Sequence, residues 1–141
     1  MEKFGKSQPV KRVEDVRFLL GTGRYVDDIA PAGAFYALFL RSPVAHATIT
    51  RLDLTDAREA PGVKCVLKAE DCEAMGIDLA LSADLSDKDN GNQSTATYRP
   101  FLAKDRVNFV GEALAIVVAE TLDQARDAIE LIEFEFDELE P

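Results

Sequence analysis

Residues 107–136 read VNFVGEALAIVVAETLDQARDAIELIEFEF, and the hydrophobic period changes twice within that stretch. Residues 113–119 form an almost unbroken apolar run rich in Ile and Val, the pattern of a strand covered on both faces. Thr121 followed three residues later by Gln124 is a capping-box pair and sets a helix start. Beyond it Leu122, Ala125, Ala128, Ile129 and Ile132 recur at helical spacing, which puts one apolar stripe toward a sheet, while Asp123, Arg126, Asp127 and Glu130 take the other side. From Ile132 the period falls to two, with Phe134 and Phe136 alternating against Glu133, Glu135 and Asp137, as on a strand buried on one face. A strand, helix, strand unit of about 30 residues follows.

The rest of the chain supplies shorter elements. Residues 1–12 are polar and basic and are expected to form a flexible arm; a short helix over 15–20 ends at Gly21, and Gly23 with Asp27-Asp28 marks turns around Tyr25. Residues 35–40 suit a buried strand, which Ser42-Pro43 ends because proline cannot donate to a ladder. A second strand over 46–54 then predicts an antiparallel hairpin with a short loop. Brief helices are expected over 56–60 and 70–75, with strands over 63–67 and 107–110. Residues 86–97, SDKDNGNQSTAT, contain one apolar side chain and predict a long mobile loop. With no internal repeat or linker, residues 13–141 are expected to form a single α+β domain built on a mixed sheet with short helices.

Composition excludes several function classes. A formal net charge of −10 argues against nucleic acid, which needs clustered Lys and Arg, and against an anionic membrane surface. No stretch approaches the roughly 18 apolar residues of a membrane span, and residues 1–6 lack the apolar core of a signal peptide, so the cytoplasm is the expected compartment. Two cysteines make neither a secreted disulfide framework nor a complete metal site.

The chemistry-bearing residues favour structural roles. Gly21-Thr22-Gly23 lacks the third glycine of a dinucleotide loop, with Val26 at that position. Asp27 and Asp28 are adjacent on an extended chain and so point apart, which suits a turn with a local hydrogen bond better than a cation site. His46 is the lone histidine and cannot build a multi-histidine centre. Cys65 alternates with Val63 and Leu67 and reads as a core residue; Cys72 lies between Asp71 and Glu73, whose charges would raise its thiol. Gly111 permits a bulge or a positive φ, which turns Glu112 out of the strand pattern. On the residues alone, no catalytic, cofactor-binding or metal-binding set is assigned. A non-catalytic α/β module for a small ligand or a protein partner stays open, as does a small acid-dependent hydrolase using Asp27, Asp28 or Glu112.

Five fragments occur in a telling order: Phe18-Leu-Leu-Gly-Thr-Gly-Arg-Tyr-Val-Asp-Asp-Ile29, then Leu40-Arg-Ser-Pro-Val-Ala-His-Ala-Thr-Ile49, then Ala60-Pro-Gly-Val63, then Asp105-Arg-Val107 with Phe109-Val-Gly-Glu112, then Val117-Val-Ala-Glu120. In that order the chain resembles the N-terminal α/β-hammerhead domain of the molybdenum-binding large subunit in the xanthine dehydrogenase, aldehyde oxidase and carbon monoxide dehydrogenase family. The resemblance runs from about residue 13 to residue 139. It implies an α/β-hammerhead-like α+β fold and a structural module of an oxidoreductase that hydroxylates an aldehyde, a heterocycle or carbon monoxide with oxygen from water. It also implies that a molybdopterin-type molybdenum cofactor is held by later domains rather than by these residues, with iron-sulfur and flavin subunits as partners. Gly111, Glu112 and His46 are then the candidates for contact with neighbouring domains.

Overall fold

Backbone pairing in the computed structural model, which describes residues 11–80 and 99–140, sorts the chain into two units, Met1–Ala34 and Phe35–Pro141. The expected arm over 1–12 and the expected loop over 86–97 lie wholly or largely outside the described residues.

In the first unit, helix α1 spans Asp15–Leu19, and the Asp15 carboxylate accepts the Arg12 N–H at 3.1 Å. Gly21, at φ 71°, ends it as expected. The chain returns through a 3-10 turn at Val26–Asp28, whose entry is fixed by the Tyr25 N–H donating to the Asp28 carboxylate at 2.8 Å. The Phe18 and Tyr25 rings stack at 5.3 Å, and Phe18 lies so close over Gly23 that a Cβ there would sit 2.1 Å from the ring. The glycine pair therefore serves aromatic packing and a helix end.

Among the described residues, the second unit holds two three-stranded sheets. One is ordered β1-β5-β3, with β1 at Tyr36–Arg41, β3 at Val63–Lys68 and β5 at Ala113–Ala119. The other is ordered β4-β2-β6, with β2 at Ala47–Asp53, β4 at Arg106–Val107 and β6 at Glu133–Glu138. Every pairing between these strands is antiparallel, so two antiparallel sheets replace the expected mixed one within an α+β fold. Short helices α2 (Thr55–Glu59) and α3 (Ala69–Ala74) precede and follow β3, and α4 spans Leu122–Glu130.

The hairpin expected between β1 and β2 does not form. Ser42 donates its N–H to Glu112 O at 2.9 Å and accepts the Gly111 N–H at 2.8 Å, so β1 stays with β5 while the chain turns away at Pro43 to found the other sheet. The strand expected over 107–110 is likewise cut to two residues, because the Asn108 N–H is taken by the Glu112 carboxylate and the Glu112 N–H by Phe109 O.

Strand β5 organises the core. Val117 and Ala119 on one of its faces are fully buried against α4, whose Ala125 and Ala128 are also fully buried. Alanines there let the helix backbone approach the sheet closely. The capping box forms as the sequence predicts: Thr121 Oγ1 accepts the Gln124 N–H at 3.2 Å, and Gln124 Oε1 accepts the Thr121 N–H at 3.1 Å. Leu114 anchors a second cluster with Ala47, Ala103 and Val107, and Leu79 and Leu102 close a third around α3.

Candidate functional site

A polar corner of the second unit joins the end of β1 to the turn before β5. Gly111 adopts φ 87°, the left-handed conformation its position demanded, and its carbonyl accepts the Arg41 guanidinium at 2.8 Å. Glu112 is buried to 5% exposure, and its Oε2 accepts the Asn108 N–H at 2.6 Å. Its carboxylate shapes the turn from within. The outward groups are Phe109 and Val110, 58% and 63% exposed, side chains that the sequence reading passed over. Two large apolar residues next to a turn glycine were the available signal.

His46 stands at the far end of the second sheet, where Nδ1 lies 2.6 Å from Glu140 O and its carbonyl accepts the Leu139 N–H at 2.9 Å. It ties the chain beyond β6 to the start of β2. Asp28 is engaged by Tyr25, and Asp27 shares the same exposed turn. The three carboxylates considered for hydrolysis are thus one buried turn former and two surface turn residues, and none of them lines the clefts at Arg51 and Asp53.

Two clefts among the described residues centre on Arg51 and Asp53. One, of about 210 Å³, is lined by Arg51, Asp53, Thr55, Asp56, Leu131 and Glu133, and is open and polar. Its charges satisfy one another: Arg51 pairs with Asp53 at 3.1 Å and with Glu133 at 2.7 Å. Hydrogen bonds from the Thr55 hydroxyl and N–H, then from Arg51, hold the Asp53 carboxyl far below the usual carboxylate range. Such a group fixes the entry to α2 through Thr55 and does not exchange protons near neutrality.

The cysteines divide. Cys72 is buried, and burial first, then Asp71, pushes its thiol up. Cys65 is exposed rather than core, because a register shift between Val63 and Cys65 inverts the alternation and turns Val63 and Val66 inward. Among the described residues, no group of three or more His, Cys, Asp or Glu side chains is placed to hold a metal ion, and no helix is long and apolar enough to cross a membrane.

Residues 20–140 match the family model described as aldehyde oxidase and xanthine dehydrogenase, a/b hammerhead domain. The chain is 41% identical over 139 residues to the nicotine 6-hydroxylase large subunit of Paenarthrobacter nicotinovorans, an alignment covering 97% of this chain and 16% of that one. It is 37% identical over 131 residues to the carbon monoxide dehydrogenase large chain of Afipia carboxidovorans, covering 92% and 15%. A solved Cu,Mo-CO dehydrogenase superposes with a TM-score of 0.77 at 35% identity, covering 92% of this chain and 15% of that one. The chain therefore spans about 15% of the length of these three relatives.

Proposed function

Because the chain belongs to the aldehyde oxidase and xanthine dehydrogenase α/β-hammerhead family, we propose that it serves as the N-terminal structural module of a molybdenum hydroxylase large subunit and performs no chemistry itself. The observation that carries this reading is the family match over residues 20–140 in a chain about 15% as long as the large subunits it resembles. The complete subunit would hold a molybdopterin-type cofactor and oxidise an aldehyde, a heterocycle or carbon monoxide, with iron-sulfur and flavin subunits as partners in the cytoplasm. Two unpaired cysteines are in keeping with a reducing compartment.

Among the described residues no group of three or more His, Cys, Asp or Glu side chains clusters, and the cleft at Arg51 and Asp53 has its charges taken up by ion pairs of its own. What this unit offers to neighbouring domains is the corner built by Gly111 and Glu112, with Phe109 and Val110 as the touching groups, and the His46 end of the second sheet.

The test is affinity purification of the tagged chain from native extract, followed by size-exclusion chromatography and molybdenum analysis. Co-elution with a much larger molybdenum-containing complex is the expected result; a lone metal-free particle near 15.5 kDa would sink the reading.

A further inference from the structure

The first sheet has two faces: α4 packs one, and of the other the described residues of the second unit cover only the end that holds Leu67 and Leu114. Directly opposed residues of antiparallel strands project to the same side. The pairings Leu38 with Val117 and Val66 with Val117 therefore define the face packed by α4. The pairings Ala37 with Val118, Phe39 with Ile116, Cys65 with Val118 and Leu67 with Ile116 define the other. That second face has no charged or polar side chain in its interior. Phe39 is 40% exposed, Cys65 and Ala37 are exposed, and Ile116 and Val118 of the central strand are only half-buried. Cations mark its ends: the Arg41 guanidinium lies 5.6 Å from the Phe39 ring and the Lys64 ammonium 5.5 Å from the Phe35 ring.

We propose that this outer face of the β1-β5-β3 sheet, centred on Phe39, Ile116 and Val118, is the seat of a covering layer contributed by the part of the large subunit that lies outside this chain. The inference rests on the reading of the chain as a module of a longer subunit. The sequence of β5 is that of a strand buried on both sides, and among the described residues of the second unit Ile116 and Val118 are left only half-buried. A second copy is the weaker occupant. Three strands at roughly 4.8 Å spacing and about 17 Å of length present on the order of 200 Å². A stable protein–protein contact takes about 800 Å² per partner. A covering layer from the rest of the large subunit is not limited to this face, because the Gly111 corner and the His46 end offer the same partner further contact. Arg41 at one end, held by the Gly111 carbonyl rather than by a carboxylate, calls for an acidic group on the rim of that layer, whereas Lys64 at the other is already paired with Glu120 at 2.6 Å.

Cys65 is a built-in reporter, since it lies on the face while Cys72 is buried. The chain alone is expected to take one equivalent of a maleimide quickly, at Cys65. The chain is then co-expressed with the nicotine 6-hydroxylase large subunit lacking its matched segment, and the complex is labelled again. Protection of Cys65 by tenfold or more, together with at least tenfold weaker assembly of Phe39→Asp whose melting temperature matches the wild type, supports the proposal. A complex in which Cys65 stays reactive and Phe39→Asp assembles normally overturns it and leaves the module reading standing. Absence of any complex with the wild-type chain defeats the module reading, and this inference with it. Protection of Cys65 in the chain alone, at low or high concentration, also overturns it, by showing that the chain or a second copy covers the face. The labelling comparison uses the unmodified chain, so it decides even if Phe39→Asp fails to fold.

Discussion

Residues 15–29 and residues 113–132 are both rich in large apolar side chains, and they meet opposite fates. In the first stretch none is buried: Val16 is 65% exposed, Leu19 87% and Val26 84%. In the second, Leu114, Val117, Ala125 and Ala128 are fully buried. The difference is one of period and length rather than of hydrophobicity. Helix α1 has five residues, too few to present a stripe to a partner, whereas α4 has nine and sets a continuous stripe on β5. Apolar content becomes a core only where its spacing matches an element that has something to pack against.

The harshest way to break that contrast is Ala128→Asp. The site has no room and no partner for a carboxylate, so about 3–5 kcal/mol of stability should be lost, enough to unfold a domain of ordinary marginal stability. Denaturant titration followed by circular dichroism measures it. A change below about 1 kcal/mol would mean that α4 is not seated on the sheet. Thr121→Ala should cost less, about 1 kcal/mol, as the loss of one cap. Gln124→Ala added to it should cost little more, because the two side chains act as one box. Full additivity in the double mutant would show two independent contacts instead.

The same contrast explains what was legible in the sequence. Residues 113–138 announced their strand, helix and strand because their signals are local: a continuous apolar run, a cap pair and a change of period. Pairing partners were not legible, because they are set by bonds between distant residues. Tyr36 pairs with Ala119, and Ser42 is held by Gly111 and Glu112, so nearness in sequence between β1 and β2 misled. The side on which Cys65 faces depended on a register shift of the same kind. At the corner, Gly111 was found from its type alone, but the inward turn of Glu112 follows from its bond to Asn108 and could not be read beforehand. The reading of β5 as covered on both faces asked for more than the described residues of the second unit supply at Ile116 and Val118, and that excess carried information.

A smaller effect sharpens the contrast at α3. The Cys72 thiol is raised in the folded chain, above the ordinary value of 9.0, chiefly by burial. A raised folded value means that the stability tied to the neutral thiol is fully present below about pH 9 and is lost as pH rises through the folded value. Unfolding free energy should therefore fall with pH in that alkaline range, and Cys72→Val should flatten that slope. An unchanged slope would show that Cys72 is open to water in the folded chain.

The smallest effect belongs to the first stretch. Leu19→Ser removes a large apolar side chain, yet in the isolated chain it should change stability by less than about 0.5 kcal/mol, the usual range for an exposed position. The leucine makes few contacts to lose and leaves no cavity, and serine costs the helix only a little propensity. Urea titration of the two proteins side by side resolves that difference. A loss above 1 kcal/mol would mean that Leu19 is buried in solution, and the opposition between the two stretches would fail at its most exposed helical residue.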